Sequence, residues 1–275
     1  MSISPLFRGL FDDAALFPPG NAELPAAVAG HAGYQQAWYA ELVGWFVCPA
    51  ARLAELAAEQ ATQGAPPLDL ALTVPGGPAE LGDAILLAGE LAGLRLRAVE
   101  VPVAVAELAG WIDRLQAASD GLRLYVEVPI RELTGELASA LSAAGLGLKL
   151  RTGGTVPEAF PSADELAEAI AAAVAAGVGF KCTAGLHNAV AHLDPATGFA
   201  HHGFLNVLLA VHAAIQGQPA AAVLAVREPA ELAELAAGLS EQDVSAVRAG
   251  FGSIGSCSIT DPLADLENLK LVLPS

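Results

Sequence analysis

Hydrophobic and polar positions follow two alternating patterns along the whole chain. Short runs rich in Leu and Val, some with a period of two, alternate with Ala/Leu/Glu stretches whose apolar residues recur every three or four positions. This repetition predicts βα units that build a parallel sheet. The predicted strands are residues 10–16, 45–48, 68–74, 94–101, 122–128, 146–152, 178–183 and 221–226. The clearest predicted helices are 51–61, 79–91, 105–117, 163–175 and 204–216, with Ser162 and Glu165 as a capping box before the fourth.

Eight strands with intervening helices in 275 residues predict a single-domain (β/α)₈ TIM barrel. The domain is expected to span 1–275, with the segment 250–275, which begins rich in Gly and Ser, packing across the barrel. A doubly wound open parallel sheet is the alternative. No G-x-G-x-x-G follows the first strand, which argues against the nucleotide-binding form of that alternative. No cofactor is predicted.

Three successive strands carry charged side chains on one face. In the segment LRLYVEV the leucines and valines occupy alternate positions, so Glu127 lies on the opposite face with Arg123 and Tyr125. The next two strands repeat this alternation. The side chains expected to point into the barrel together are Glu127, Lys149, Arg151, Lys181 and Thr183.

The scarcity of lysine gives this cluster chemical interest. The chain has ten arginines but only three lysines, Lys149, Lys181 and Lys270. An amine differs from a guanidinium because its pKa can fall far enough for it to act as a base or nucleophile. Neighbouring Arg151 and Lys181 are expected to disfavour the charged form of Lys149. An internal ion-pair network without chemistry is the competing interpretation.

Two of these strands resemble those of deoxyribose-phosphate-type class I aldolases. LKLRTGG is similar to that family's K-T-S-T-G-F strand, GFKCTAGLH to its V-K-A-S-G-G-I-R strand, and LFDDAALF, more loosely, to its L-I-D-H-T-L-L opening. The resemblance implies that Lys149 forms a Schiff base with a substrate carbonyl and that Lys181 lowers its pKa. Thr152 and Gly153 match the family's T-G pair, whereas Arg151 replaces a small residue. Glu100 stands where the family has an aspartate.

Other candidates lie at the ends of the first and seventh predicted strands. Asp12 and Asp13 are adjacent, so at most one of them reaches the lumen readily. Glu127, His187 and Asp12 are the candidates for moving protons. The residues expected to contact substrate are Arg151, Thr152, Gly153, Thr183, Asp13 and Glu100.

The long segment 184–203 contains four of the six histidines, His187, His192, His201 and His202, and also Asp194. Loops of this length are often lids or binding loops. Imidazoles with a carboxylate suit zinc or iron, but no H-x-H or H-E-x-x-H spacing is present, so no metal is predicted. Surface histidines are the simpler interpretation, most plausibly for His192 and His201.

Charge and cysteine content limit the partners and the cellular compartment that we expect. With 30 acidic and 13 basic residues the net charge is −17, which disfavours binding to nucleic acid. No apolar stretch is long enough to span a membrane, the three cysteines lack C-x-x-C spacing, and the N-terminus does not resemble a signal peptide. We therefore expect a cytoplasmic protein that binds a small molecule. Aromatic residues within 34–46 could form a contact between subunits of a homo-oligomer, and packing in the core explains them equally well.

These observations together predict an enzyme, a class I aldolase-like lyase that acts on a small carbonyl compound through Lys149. Three alternatives remain open. The lysines and Arg151 could bind a carboxylate or phosphate in an isomerase or epimerase. The histidine loop could serve a metal-dependent hydrolase. The barrel could also bind a small molecule without catalysis.

Overall fold

Eight parallel strands close into a barrel in the computed structural model, which describes residues 3–274. The barrel strands are β1 (Phe11–Asp13), β2 (Val43–Pro49), β3 (Leu68–Thr73), β4 (Leu94–Pro102), β5 (Arg123–Glu127), β6 (Gly147–Arg151), β7 (Phe180–Thr183) and β10 (Phe251–Ser256). The two-residue strands β8 (His192–Leu193) and β9 (Ala200–His201) form a separate antiparallel hairpin. Around the barrel the order is β1-β10-β7-β6-β5-β4-β3-β2. The predicted TIM barrel is confirmed, and the open-sheet alternative is wrong.

Helices cover the outside of this barrel. They are α1 (Leu24–Tyr34), α2 (Leu53–Gln63), α3 (Leu81–Glu90), α4 (Val105–Ala118), α5 (Gly135–Ala143), α6 (Ala163–Ala176), α7 (Phe204–Ile215), α8 (Ala220–Leu224), α9 (Pro229–Ala237), α10 (Glu241–Gly250) and α11 (Thr260–Asn268). The predicted capping box is present at the start of α6, where Ser162 and Glu165 satisfy each other's backbone amides. Within the described residues, none of these helices has the length and apolar character needed to cross a membrane.

The predicted eighth strand is wrong. Residues 221–226 lie mainly in the short helix α8, and the barrel is closed by β10 instead. A short apolar run does not distinguish a strand from a buried helix, whereas the Gly- and Ser-rich sequence of β10 has little intrinsic preference for a strand. Pairing with β1 and β7 imposes the strand. The segment 250–275 was expected to pack across the barrel. This is wrong for Phe251–Ser256, which forms β10 within the barrel wall. Positions 1, 2 and 275 of the predicted domain lie outside the described residues.

Two apolar layers of different size support the strands. The larger layer lies between the sheet and the helices and contains most of the buried Leu, Val and Phe side chains. The smaller layer lies inside the barrel and includes Val47, Ala71, Ala98 and Tyr125. Because two of these four residues are alanines, the lumen has room for charged side chains at its carboxyl-terminal end.

Candidate functional site

Two lysine side chains lie inside the barrel on neighbouring strands. Lys149 of β6 and Lys181 of β7 are direct partners in the strand register, so their side chains leave the sheet on the same face. Both are buried, with 7% and 1% of the side chain exposed. The interior of such a barrel is filled mainly by apolar side chains. Because a buried charge is costly without a partner, each ammonium group requires one.

The Glu100 carboxylate on β4 is that partner for both lysines. Its Oε2 lies 2.7 Å from Lys149 Nζ and its Oε1 lies 2.6 Å from Lys181 Nζ. The Glu100 side chain is 3% exposed. A single buried carboxylate therefore fixes the two amines relative to each other across the lumen.

Asp12 on β1 holds Lys181 from the other side. Asp12 Oδ2 lies 2.6 Å from Lys181 Nζ and also accepts a hydrogen bond of 2.6 Å from the Ser253 hydroxyl. Asp12 Oδ1 accepts one of 2.9 Å from the backbone N–H of Trp45. These contacts hold Asp12 in place, and among the described residues its only ion pair within 4.0 Å is with Lys181.

Glu127 on β5 connects Lys149 to solvent. Its Oε2 lies 2.8 Å from Lys149 Nζ, and its Oε1 lies 3.1 Å from Nε of Arg151. Glu127 and Arg151 line a cavity of about 780 Å³ formed by the loops that follow β3, β4, β5 and β6. The Arg151 side chain is 51% exposed and that of Glu127 20%, so Glu127 lies between the cavity and the buried Lys149 ammonium that it contacts.

Charge is balanced within this network. Three cations, Lys149, Lys181 and Arg151, face three carboxylates, Asp12, Glu100 and Glu127. Burial lowers the pKa of Lys181, but the charges of Asp12 and Glu100 outweigh burial and raise it. Each of the three cations therefore has a carboxylate partner, as the ion-pair interpretation of the cluster also expects.

The pKa of Glu100 predicts acid sensitivity. Burial raises this pKa, but the charges of Lys149 and Lys181 outweigh burial and lower it from 4.5 to about 2. Because the folded pKa is depressed, the stability contributed by the ionised Glu100 is present above its unfolded value and is lost as the pH falls from there towards 2. Urea unfolding of the wild type and Glu100→Gln should give stabilities that converge as the pH falls below about 4. A difference that stays constant with pH would contradict this prediction.

Two of the predicted site residues have partners outside the lysine network. Asp13 points away from the lysines, and its Oδ2 lies 3.0 Å from Nδ1 of the buried His31 on α1. Only one of the two adjacent aspartates, Asp12, thus reaches the lysines. His187 lies beside the thiol of Cys257, with Nδ1 3.7 Å from Sγ. Burial lowers the pKa of His187, which favours the neutral ring.

Three more predicted residues shape the strand ends beside the network. The Thr152 hydroxyl donates to the backbone carbonyl of Ala184, 2.6 Å away. A Cβ at Gly153 would lie 2.9 Å from the Cα of Gly185, so only glycine permits this close approach. Thr183 pairs with Arg151 in the register and lies against Gly255. The segments after β6 and β7 are therefore held together mainly through backbone contacts.

Two of the other three histidines of the long loop lie on the hairpin formed by β8 and β9. His192 and His201 pair across β8 and β9, and their rings lie 5.2 Å apart. The buried His202 has Nε2 2.8 Å from the carbonyl of Pro161. Within residues 3–274, no group of three or more His, Cys, Asp or Glu side chains has the arrangement of a metal site. The donor geometry therefore gives no support to the metal-hydrolase alternative.

Sequence reasoning missed two lumen residues, Ser253 and Thr73. Ser253 lies on β10, in the segment that was expected to pack across the barrel. Thr73 pairs with Glu100 in the register, and its buried hydroxyl has no hydrogen-bond partner among the described residues. Alternation along β3 places Thr73 on the lumen face, so that signal was available in the sequence. Tyr125, which alternation along β5 does place on the lumen face, has its ring centroid 5.6 Å from Lys181 Nζ.

Comparison with solved structures agrees with the fold. The structure entitled "Unique tetrameric structure of deoxyribose phosphate aldolase from Aeropyrum pernix" matches with a TM-score of 0.54 and 14% identity, over 97% of this chain and 93% of that one. The structure entitled "QR15, an Aldolase" matches with a TM-score of 0.55 and 12% identity, over 98% and 99%. This chain therefore has the (β/α)₈ barrel fold of these two structures. The predicted resemblance to aldolases is confirmed at the level of the fold. No protein-family model matches the sequence, and no curated protein matches it either.

Proposed function

We propose that this protein is a class I aldolase-like enzyme in which Lys149 forms a Schiff base with a small carbonyl compound. The observation that carries the proposal is the shared carboxylate of Glu100, which holds two buried amines on adjacent strands at 2.7 and 2.6 Å. A buried ion pair seldom stabilises a fold more than apolar residues of the same size. Two such pairs lie towards the carboxyl-terminal ends of the strands, where barrel enzymes have their active sites, so they favour a catalytic role.

Lys149 is assigned the nucleophilic role because of its position relative to the cavity. Its partner Glu127 lines the cavity, whereas Lys181 is 1% exposed and is enclosed by Asp12 and Glu100. A substrate that enters from the cavity meets Arg151 and Glu127 first and Lys149 next. Lys181 would then act as a positioning residue that orients Glu100.

The reaction begins with a proton transfer. The Lys149 ammonium gives a proton to the Glu127 carboxylate, 2.8 Å away, and the neutral amine adds to the substrate carbonyl. Glu127 returns this proton to the carbinolamine hydroxyl, which leaves as water and gives an iminium. This cation replaces the ammonium, so the carboxylate partner Glu100 stabilises it in the same place.

The iminium then serves as an electron sink. A base takes a proton from its α-carbon, which gives a neutral enamine. The enamine carbon bonds to the carbonyl carbon of an acceptor aldehyde, the aldehyde oxygen takes the proton back from that base, and the iminium forms again. Water then adds to this iminium, and release of the product restores the amine. Glu127 is the base best placed for the proton steps, because Asp12 is held by Lys181 and Ser253 and His187 lies beside Cys257.

The isomerase alternative requires the lysines to hold a substrate anion. Carboxylates of the protein already occupy that position at each ammonium group, so a substrate anion would have to displace them. Arg151, at 51% exposure, remains available for a carboxylate or phosphate on the substrate. This favours a carbonyl compound that carries an anionic group at its far end.

Exchange of α-protons tests the proposal without knowledge of the acceptor. The protein is incubated in D₂O with acetaldehyde, acetone, dihydroxyacetone phosphate or pyruvate, and deuterium at the α-carbon is followed by NMR. We expect exchange of at least one donor to exceed the rate with free lysine by about 10³-fold or more. No acceleration with any donor, together with saturable binding of one of them, would instead support a binding barrel without catalysis.

A further inference from the structure

A second cavity lies at the opposite mouth of the barrel, where the strands begin. It has a volume of about 500 Å³. The first residues of β2, β3 and β5 line it, and the end of α1 and the end of α10 complete its wall. Asp12 and Ser253 also line it, so this cavity and the lysine network share the Asp12 carboxylate.

Three arginines line this cavity, Arg95, Arg123 and Arg248. The chain has only ten arginines and a net charge of −17, so a cationic cavity is unusual for it. Asp69 contacts Arg95 Nε at 2.8 Å, but the same carboxylate oxygen also accepts from Arg97 at 2.7 Å. One acid therefore serves two guanidinium groups at this mouth.

Arg123 and Arg248 have no carboxylate partner within 4.0 Å in the part of the chain that the structure describes. Arg123 is instead placed over the ring of Trp45, with 5.5 Å between its guanidinium carbon and the ring centroid. The Nη2 of Arg248 donates to the backbone carbonyl of Arg8 over 3.0 Å. Its Nη1 is buried and donates to no acceptor among residues 3–274.

Arg248 is half-buried, and its buried Nη1 lacks a counter-charge. Burial lowers its pKa to about 10, and the nearby charge of Arg123 acts in the same direction, while Asp12 opposes them. Asp12 gives little relief because it already neutralises Lys181 at 2.6 Å. An anion in the cavity would supply both the missing acceptor and the missing charge.

We propose that this mouth of the barrel binds a small oxyanion, a phosphate or carboxylate group held by Arg123 and Arg248 with Arg95 at the rim. Guanidinium groups match the geometry of such anions because their N–H donors form a planar fork. The rest of the molecule is strongly acidic and repels anions, so affinity here must come from local contacts. The site is separate from the cavity that Arg151 lines, at the other end of the strands.

Inorganic phosphate and malonate are the probes for this site. Thermal unfolding is followed while each probe is titrated at constant ionic strength with sodium chloride, since a ligand of the folded state raises the midpoint in a saturable way. We expect a saturable rise with at least one probe, and the probe that produces it distinguishes phosphate from carboxylate recognition. Absence of a rise with both probes would overturn the proposal.

Matched arginine variants locate the binding. Arg123→Gln and Arg248→Gln should each weaken the affinity by about tenfold or more, whereas Arg114→Gln, at an exposed position on α4 that lines neither cavity, should leave it unchanged. Because Arg123 is exposed, its variant remains informative if Arg248→Gln fails to fold. Binding that is lost in Arg151→Gln and retained in Arg123→Gln would place the anion at the other mouth and overturn the proposal.

Discussion

Lys149→Arg is expected to abolish α-proton exchange, with a loss on the order of 10³-fold or more. The guanidinium preserves the positive charge beside Glu100 and Glu127 but cannot form an iminium with a carbonyl compound. A role of Lys149 that is purely electrostatic predicts a much smaller loss. The measurement is the NMR exchange rate with the best donor, and far-ultraviolet circular dichroism verifies that the variant is folded.

Lys270→Arg is the matched control, because Lys270 is the third lysine of the chain and is exposed. Its exchange rate should equal that of the wild type. Lys181→Arg should lower the rate by a smaller factor than Lys149→Arg, because Lys181 acts through Glu100. An exchange rate in Lys149→Arg within tenfold of the wild type would contradict the assignment of Lys149 as the nucleophile.

Glu100→Gln is expected to give the largest loss of stability in the network. The substitution leaves Lys149 and Lys181 buried with one carboxylate fewer between them. Removal of one partner from a buried ion pair typically costs about 3–5 kcal/mol, because the remaining charge stays desolvated. Urea unfolding at about pH 7, where the carboxylate is ionised in both states, measures this loss.

Two further variants separate charge from packing. Glu127→Gln removes a carboxylate from the same Lys149 ammonium, but at 20% exposure the loss should be smaller, since water reaches that position. Adding Lys149→Met to Glu100→Gln removes the excess cation while Lys181–Asp12 and Arg151–Glu127 remain paired. The double variant should therefore be more stable than Glu100→Gln alone. Equal or lower stability of the double variant would contradict the charge-balance explanation.

Strand alternation predicted much of the site. Along β5, β6 and β7 the apolar residues occupy every second position, so the lumen-facing placement of Glu127, Lys149 and Lys181 followed from the sequence. The same rule limited the adjacent pair Asp12 and Asp13 to one lumen residue. Regular parallel strands preserve the facing of their side chains, and local sequence specifies it.

Strand alternation did not predict that Glu100 contacts both lysines. Its strand carries polar residues at Arg95 and Arg97, and the pairing with β3 shifts register between Leu70 and Ala71. An irregularity of this kind changes which residues face the lumen, and the sequence contains no sign of where it occurs. The bridge from Glu100 to Lys149 and Lys181 also spans three strands, so it depends on barrel closure.

Closure itself explains the misplaced eighth strand. The Gly- and Ser-rich β10 has a weak local signal and is a strand because β1 and β7 both need a partner at that position. The run 221–226 has the stronger apolar signal but lies in and just after α8, where the Asn206 amide donates to the carbonyls of Val223 and Val226. Tertiary context overrides the local pattern in both segments.

Trapping with borohydride tests the Schiff base at Lys149 most directly. The protein is incubated with the donor that exchanges fastest, reduced with sodium borohydride, and analysed by intact mass and peptide mapping beside Lys149→Arg. We predict one reduced adduct per chain, located on Lys149 and absent from the variant. An adduct on Lys181 or Lys270 instead, or equal labelling of both proteins, would contradict the assignment.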